Sequence, residues 1–521
     1  MSRRPFPRTT PPSRLEPVLA SVVAAVLAML WAPRAARFTT DSESYLDVAA
    51  NLRAGLGLVQ QVVDFWRPQL PDPLGMWPPL YPGTLAAFAA FGVPLERAAT
   101  LVPGLAFVAF AALFHAFALR VTTRPAARIA TAITLLSPAL GRASGMAWSE
   151  WPFLMWIGAS CLMLELALGD GRGRHDARRR LWLAVIAGAF AGFACLTRYL
   201  GGALVVSAAL VLLISSAPRA RLAGFLAPAL GLPGLWAIWN LRHFGRPFGP
   251  ALPRAHETML EVCGQFASAM RWTLLPAPMP PHTLLAVVAL AGIAALLVTS
   301  LVLGRSRAIA GAFALCFAAS LVAARSGASV NPIGERYVLP LIPFVWLAAA
   351  STLAWLAARL RAGAALATVL AVVLPCAAGV QTIRELRARP TPALEPRARA
   401  ALHDELRALL GDGRGPVLSD AAHSVRPATG RAAIEVPEAG FRLRPFLEVD
   451  ELRWRGRGVR EAVFSNASWR GDGDGLALAL ATARHGAWLA QRIAPGSPSR
   501  WTVIDSSAHF VHFALDSAAA N

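Results

Sequence analysis

Residues 97–128 read RAATLVPGLAFVAFAALFHAFALRVTTRPAAR, and they combine the two patterns that recur along this chain. The first part, residues 97–119, is apolar after its opening arginine. At about 1.5 Å per residue it is long enough to cross the ~30 Å hydrocarbon core of a bilayer. The second part, RVTTRPAAR, is a short arginine-rich loop, which is typical of the cytoplasmic side of a membrane. Together they predict a transmembrane helix that ends in the cytoplasm.

The composition extends this pattern to the whole chain. Of 521 residues, 55% are hydrophobic and 15% are charged, and the mean hydropathy is +0.49. A soluble domain has about 45–50% apolar and about 25% charged residues, and a disordered chain has fewer apolar residues still. The composition therefore excludes both classes and predicts a polytopic α-helical membrane protein.

The charge is strongly positive, with 50 basic and 30 acidic side chains and a formal net charge of +20. Every basic residue is an arginine, because the sequence contains no lysine. The arginines lie mainly in short loops between apolar blocks and do not form one basic face. This distribution argues against nucleic-acid binding and agrees with the positive-inside rule. The five cysteines are scattered without paired metal spacing.

The apolar blocks predict about eleven transmembrane helices. The first block could instead be a signal peptide, but the further spans favour an uncleaved helix with the N-terminus in the cytoplasm. An odd number of crossings places the C-terminal segment outside. The predicted spans are residues 15–33, 97–119, 129–140, 151–168, 181–196, 201–214, 222–239, 284–303, 308–324, 338–357 and 364–380.

Two domains follow from this pattern. Residues 1–380 form a predicted transmembrane domain, in which residues 36–96 are the first extracytoplasmic loop. Residues 381–521 begin with a proline-containing linker and an amphipathic helix and continue with short apolar runs that end in polar residues. They predict a small α/β domain on the extracytoplasmic side.

The first extracytoplasmic loop carries the candidate catalytic group. Asp41 and Glu43 follow soon after the first span, and Tyr45 lies close behind them. Thr40 or Asp41 could simply cap the helix that follows. The functional alternative is a carboxylate held at the bilayer surface, facing a cavity.

Other ionisable and aromatic side chains fall at the outer ends of the predicted spans. Taken one at a time, each is an ordinary interfacial residue. Taken together, they bring acids and arginines to one face of the membrane, as a phosphate-bearing lipid substrate would need. These residues are Glu150, Arg198, Tyr199, Arg242, Arg246, Glu335, Arg336 and Tyr337. Tyr81 lies in the first extracytoplasmic loop, where an aromatic residue is typical of an interfacial anchor.

Known metal and nucleotide motifs are missing from the sequence. His175-Asp176 and His256-Glu257 lack the spacing of a zinc-binding H-E-x-x-H helix, and GDGRG and GDGDG are typical of turns. No metal or nucleotide-sugar site is therefore predicted, and a divalent ion near Asp41 remains an open alternative without motif support.

Six segments in order resemble bacterial GT-C glycosyltransferases, in the branch of the aminoarabinose-transferase-like and protein O-mannosyltransferase-like enzymes. The resemblance covers most of residues 15–380. The segments are TTDSESYLDVAANLRAG, PPLYP, SEWPF, CLTRYLGG, WNLRHFGRPFGP and ERYVLPLIPF.

The resemblance implies a multi-pass protein of the bacterial inner membrane that takes a sugar from a polyprenyl-phosphate donor on the extracytoplasmic face. The acceptor would be a lipid, glycan or protein of the envelope. It implies Asp41 as the general base, although relatives often have adjacent acids where this chain has Asp41-Ser42-Glu43.

The chemistry gives the other residues their predicted roles. Arg198 and Arg336 are the first candidates to bind the leaving phosphate, because a guanidinium binds phosphate through two parallel hydrogen bonds. The alternative for these arginines is ordinary external-loop charge paired with Glu150 or Glu335. Glu150 is a catalytic candidate that orients an arginine or binds the sugar or acceptor. The remaining substrate-binding candidates are Glu43, Tyr45, Tyr81, Tyr199, Arg242, Arg246 and Tyr337.

Two other classes stay open. A transporter or flippase of a lipid-linked substrate would use the same arginines without chemistry, but its ionisable groups should lie near the bilayer midplane. A non-catalytic membrane scaffold would use the C-terminal domain to bind a partner.

Overall fold

The structure is a computed structural model of the full chain, and it describes most of the membrane region and part of the C-terminal segment. The described residues are 15–35, 39–64, 71–169, 174–215, 217–250, 257–274, 308–327, 333–357, 361–387, 396–413, 415–419, 422–435, 461–465, 501–506 and 510–515.

Helices dominate the described residues, as the apolar composition predicts. In chain order they are Leu15–Ala35, Thr40–Arg53, Leu80–Ala90, Leu95–Val121, Arg124–Leu135, Pro138–Ser144, Glu150–Leu168, Arg174–Thr197, Gly202–Ile214, Arg219–Phe244, Met259–Leu274, Ala308–Gly327, Glu335–Val338, Ile342–Ala357, Arg361–Arg387, Pro396–Leu410 and Ala422–Thr429. Single 3-10 turns lie at Tyr199–Gly201 and Leu339–Leu341.

Seven helical segments among the described residues are long and apolar enough to cross a membrane, so the chain is a multi-pass membrane protein. They are Leu15–Ala32, Leu95–Val121, Glu150–Leu168, His175–Thr197, Arg219–Phe244, Ala308–Gly327 and Glu335–Trp355.

The predicted count of eleven is not confirmed. Residues 129–140 do not form one helix, because the chain breaks between Arg124–Leu135 and Pro138–Ser144. Ser137 caps the second of these helices and Pro138 follows it at the first helical position. The 12-residue first helix would span only about 18 Å.

Three other predicted spans have no counterpart among the seven, each for a different reason. Residues 201–214 form the short helix Gly202–Ile214, and residues 364–380 lie within Arg361–Arg387, which is not among the seven. The predicted span at 284–303 lies outside the described residues.

The contacts between residues divide the chain into two units. The first unit comprises residues 1–36, 75–84 and 96–389, and the second comprises residues 37–74, 85–95 and 390–521.

Aromatic side chains fill the core of the first unit. Trp151 lies 4.3 Å from Phe107 between ring centroids, and Phe313 lies 4.7 Å from Phe344. All four are essentially inaccessible to solvent. Trp151 also donates its indole N–H to the carbonyl oxygen of Leu140 at 3.2 Å, which ties the start of its helix to the helix 138–144.

Two glycines allow a close helix contact in this unit. The segment GAFAG places Gly188 and Gly192 four residues apart, the spacing that lets helix backbones approach in membranes. A Cβ atom on Gly192 would lie 2.8 Å from the carbonyl oxygen of Pro228. The helix Arg174–Thr197 therefore packs against Arg219–Phe244 at a distance that only glycine permits.

An ion cluster attaches the first helix to its neighbours. Glu16 accepts hydrogen bonds from Arg124 and from Arg128, whose Nη2 lies 3.1 Å away. Its carboxylate also lies 3.4 Å from Nε2 of His115, and Nδ1 of that ring lies 2.9 Å from the hydroxyl of Thr131. The cluster compensates the charge of an acid in the first turn of an apolar helix.

A six-stranded mixed sheet organises the second unit. Its strands lie in the order Val62–Asp64, Ala433–Glu435, Val417–Ser419, Glu461–Ser465, Phe510–Leu515 and Trp501–Ser506. The first three pairings are parallel and the last two are antiparallel. A separate antiparallel pair joins Val59–Gln60 to Asp72–Pro73.

This sheet includes one strand from outside the predicted C-terminal domain. The strand Val62–Asp64 belongs to the first loop, which was assigned to the transmembrane domain, and the boundary predicted at residue 381 falls inside the helix Arg361–Arg387. The predicted α/β domain is therefore not confirmed as residues 381–521 alone. The pattern of short strands gave no sign of a strand contributed from so far upstream.

Candidate functional site

Glu150 is the centre of a charged cluster in the first unit. It begins the helix Glu150–Leu168, and only 1% of its side chain is exposed. Its Oε1 accepts hydrogen bonds from Arg198, with Nη1 at 2.5 Å, and from Nε of Arg336. Among the described residues no hydrogen-bond partner meets its Oε2. One buried carboxylate thus holds two guanidinium groups, and the three side chains carry a net charge of +1.

A tight turn aims Arg198 at this carboxylate. The helix Arg174–Thr197 ends, and the chain reverses through Tyr199–Gly201 into the next helix. A Cβ atom on Gly201 would lie 2.7 Å from Cα of Cys195, so the reversal requires glycine. Nη1 of Arg198 also donates to the hydroxyl of Ser149 at 3.3 Å.

Arg336 approaches Glu150 from the short helix Glu335–Val338. Its guanidinium carbon lies 4.4 Å from the ring centroid of Trp148, which is a cation–π geometry. The side chains of Arg198 and Arg336 are 15% and 17% exposed. Both therefore retain contact with solvent while the acid between them is closed off.

A second ion cluster lies beside this one and was not predicted. Nη2 of Arg142 lies 3.0 Å from Oε2 of Glu335, the residue directly before Arg336, and its Nη1 contacts Glu385. The signal was available in the sequence, because an arginine next to an apolar stretch is costly unless it is paired or used. Arg142 follows residues 129–140, which do not form the predicted span.

Tyr199 has a different environment from the arginines. Its hydroxyl donates to the carbonyl oxygen of Gly75 at 2.8 Å and accepts from Nε1 of Trp236 at 3.1 Å and Nδ2 of Asn240 at 3.2 Å. Its ring meets Phe248 edge-on at 6.1 Å. The hydroxyl therefore joins three parts of the first unit. Because it is already bonded in this way, the predicted contact of Tyr199 with substrate would have to come from its aromatic ring.

Asp41 lies in the first turn of the helix Thr40–Arg53 in the second unit. The cap of this helix is Thr39, which exchanges hydrogen bonds with Ser42 in a capping box, so neither Thr40 nor Asp41 fills the position expected from the sequence. Asp41 and Glu43 are partly exposed.

Asp47 of the same helix was not predicted as a functional residue. Its Oδ2 accepts from the backbone N–H groups of Gln61 at 2.6 Å and Val62 at 3.1 Å, and Nε of Arg426 lies 3.3 Å from its Oδ1. Asp47 and Asn51 lie four residues apart, on one face of the helix, and this polar pair in an otherwise apolar stretch could have signalled the role.

The other predicted residues are spread more widely. Arg242 and Arg246 are exposed, and no ion pair to either is found among the described residues. Tyr45 and Tyr81 are buried, and Tyr337 packs partly buried against the main core. The structure therefore brings Glu150, Arg198 and Arg336 into contact and gives no such contact to Arg242 or Arg246.

No group of three His, Cys, Asp or Glu side chains placed to hold a metal ion occurs in the described part of the chain.

Comparisons by sequence find no relative, because no protein-family model matches and no curated protein matches. Comparisons by structure find several. The structure of ArnT from Cupriavidus metallidurans bound to undecaprenyl phosphate superposes with a TM-score of 0.58 at 16% identity, over 97% of this chain and 99% of that one.

Two structures of the Archaeoglobus fulgidus oligosaccharyltransferase are also similar. The apo form has a TM-score of 0.56 at 14% identity, over 90% of this chain and 71% of that one. The complex of AglB with an inhibitory peptide and a dolichol-phosphate has a TM-score of 0.50 at 15% identity, over 90% and 72%. The predicted resemblance to GT-C glycosyltransferases is confirmed at the level of the fold, which this chain shares with them.

Proposed function

We propose that this protein is an integral-membrane glycosyltransferase that transfers a sugar from a polyprenyl-phosphate donor to an acceptor of the bacterial cell envelope. Asp41 is its general base, and the reaction takes place on the extracytoplasmic face of the inner membrane. The observation that carries the proposal is the buried carboxylate of Glu150 holding Arg198 and Arg336.

The fold supports the choice of substrate. Of the structures that share it, one holds undecaprenyl phosphate and another holds a dolichol-phosphate and a peptide. Both lipids are long apolar chains that end in phosphate. The seven candidate spans provide apolar surface for the lipid chain. The positively charged cluster at the ends of the helices provides a counter-charge for the phosphate.

The electrostatics of the cluster suit a leaving phosphate. Without Glu150 the two guanidinium groups would repel each other, and with it they lie side by side and keep a net charge of +1. A guanidinium has five N–H donors, and among the described residues every hydrogen bond of Arg198 uses Nη1. The remaining donors of Arg198 are suited to phosphate oxygens, and such preorganised donors stabilise the negative charge that develops as the donor bond breaks.

The reaction itself is a displacement at the anomeric carbon. The acceptor hydroxyl attacks this carbon, the bond to the phosphate oxygen breaks, and the polyprenyl phosphate leaves with the bonding electrons. Asp41 accepts the hydroxyl proton in the transition state, which contributes typically about 10²–10⁴-fold to the rate.

The test uses the purified protein in lipid vesicles with a labelled polyprenyl-phosphate sugar and an envelope extract as acceptor. Asp41→Asn should abolish transfer while leaving membrane insertion intact. Asp176→Asn is the matched control, because Asp176 also lies in the first turn of a helix but is predicted to face the cytoplasm. Full activity of Asp41→Asn would remove the proposed base.

Arg336→Ala tests the phosphate site separately. We expect poorer use of the donor, seen as a higher KM and a lower kcat, whereas Arg387→Ala at an exposed helix end should change neither. Unchanged donor affinity and turnover in Arg336→Ala would refute the phosphate role.

The transport alternative makes a different prediction in the same vesicles. A flippase would move the labelled donor between leaflets without releasing polyprenyl phosphate. The positions of Glu150 at a helix start and of Arg198 after a helix end favour the enzyme, because a carrier needs ionisable groups near the midplane. Donor movement without transfer to any acceptor would overturn the proposal.

Removal of divalent ions by a chelator tests the alternative of a metal near Asp41.

A further inference from the structure

Asp47 is a densely hydrogen-bonded acid of the second unit. Its side chain is 4% exposed. It accepts the backbone N–H groups of Gln61 and Val62, the side-chain amide of Asn51 at 3.3 Å and Nε of Arg426 at 3.3 Å. A carboxylate that accepts this many hydrogen bonds is well compensated in spite of its burial.

Arg426 extends the network into the C-terminal part of the chain. It lies on the helix Ala422–Thr429, 20% exposed, and its Nη2 donates to Oδ1 of Asn51 at 3.4 Å while its Nη1 contacts the carbonyl oxygen of Gly430. One guanidinium thus bonds both to the helix Thr40–Arg53 and to the end of its own helix.

Backbone pairing reinforces the same connection. The N–H of Ala433 donates to the carbonyl oxygen of Gln61 at 2.9 Å, and Val62–Asp64 continues from there as a parallel strand beside Ala433–Glu435. The two amides bound by Asp47 are therefore those that open this strand. A small apolar core, which includes Val62, Val425 and Ala433, packs at the same place.

We propose that Arg426 and Asp47 are positioning residues that fix the helix carrying Asp41 to the C-terminal sheet. The proposal rests on the function proposed above, since it assigns the C-terminal segment the task of holding the general base in place. Asp41 lies six residues before Asp47 on one rigid helix, a rise of about 9 Å. A rotation of the helix at Asp47 therefore moves the carboxylate of Asp41.

Breaking the pair of Arg426 and Asp47 should release the helix that carries Asp41. Removing Arg426 leaves a buried carboxylate with less compensation, so Asp47 would move toward water and release the amides of Gln61 and Val62. A shift of about 1 Å in a reacting group can cost about 10²-fold in rate.

The experiment compares full-length variants in lipid vesicles. Arg426→Ala should lower kcat by about 10- to 100-fold with little change in KM for the donor, because Arg198 and Arg336 are untouched. Arg426→Lys should recover part of the loss, since a lysine supplies the charge without the planar fork. Arg407→Ala is the matched control, because Arg407 bonds to Ala428 and Asp404 within the C-terminal segment.

Backbone hydrogen exchange of residues 40–53 provides a readout that does not depend on catalysis. Exchange should accelerate in Arg426→Ala and remain unchanged in Arg407→Ala. Wild-type kcat in Arg426→Ala, or equal losses in both variants, would overturn the proposal. If the wild-type protein transferred no sugar from any polyprenyl-phosphate donor, the proposed function would fail, and unchanged exchange in Arg426→Ala would still decide against this role.

Discussion

Replacement of Gly188 by alanine tests the contact between the helices Arg174–Thr197 and Arg219–Phe244. The new Cβ atom would lie 2.9 Å from the carbonyl carbon of Phe225, closer still to its oxygen, and 3.0 Å from Cγ of Pro228. Ordinary contacts begin at 3.4 Å, so the helices would have to separate by at least about 0.5 Å. Backbone atoms cannot rotate away as a flexible side chain can.

The expected cost is about 1–3 kcal/mol, the usual range for an overpacked site. Gly231→Ala on the facing helix is the control, because nothing lies within 4 Å of its Cβ position. There the substitution should stabilise the helix by about 0.5–1 kcal/mol. Two identical chemical changes should thus differ by about 1.5–4 kcal/mol, by difference of these ranges.

The assay is thermal unfolding of the purified variants in one detergent at one protein concentration. Gly188→Ala should have the lowest Tm, whereas Gly231→Ala should match or exceed the wild type. Equal Tm values for the two variants would show that the helices do not pack this closely. The position of Arg198, which follows the helix Arg174–Thr197, would then lose its support.

Substitutions at three further positions test other parts of the first unit. Glu150→Gln should lower donor turnover by at least tenfold and cost about 3 kcal/mol, because it leaves two guanidinium groups in mutual repulsion; normal turnover and Tm would refute the clustering. Tyr199→Phe should cost about 1–3 kcal/mol in thermal unfolding, because the carbonyl of Gly75 and the amide of Asn240 lose a shared partner, and an unchanged Tm would contradict that bonding. Gly245→Ala should cost about 1 kcal/mol, because φ is +67° and no atom lies within 4 Å of the Cβ position; Gly245→Asn should cost less, and the reverse order would exclude backbone strain.

Spans were predictable where the signal is local. A long apolar block forms a helix whatever lies elsewhere, which is why residues 97–119 and 151–168 were placed within a few residues. The failure at residues 129–140 was also local in origin. Ser137-Pro138 is a helix-start signal, and it outweighed an apolar pattern of marginal length.

The sequence picked out the three residues of the Glu150 cluster but not the contacts between them. Glu150, Arg198 and Arg336 were selected because they lie at the ends of predicted spans, and they do so. Which arginines meet the acid depends on how helices from distant parts of the chain pack, and the sequence ranked Arg336 ahead of Arg242 without showing that it meets Glu150. Asp47 was missed for the same reason, since its partner Arg426 lies in the other predicted domain.

The strand Val62–Asp64 also constrains how the chain is threaded through the bilayer. Strands that share backbone hydrogen bonds lie in one aqueous compartment, so Val62–Asp64 and Ala433–Glu435 are on the same side. The chain between them must then cross an even number of times. Six of the seven candidate spans, all but the first, lie between these two strands. Six is an even number, so any additional crossings in this interval must occur in pairs.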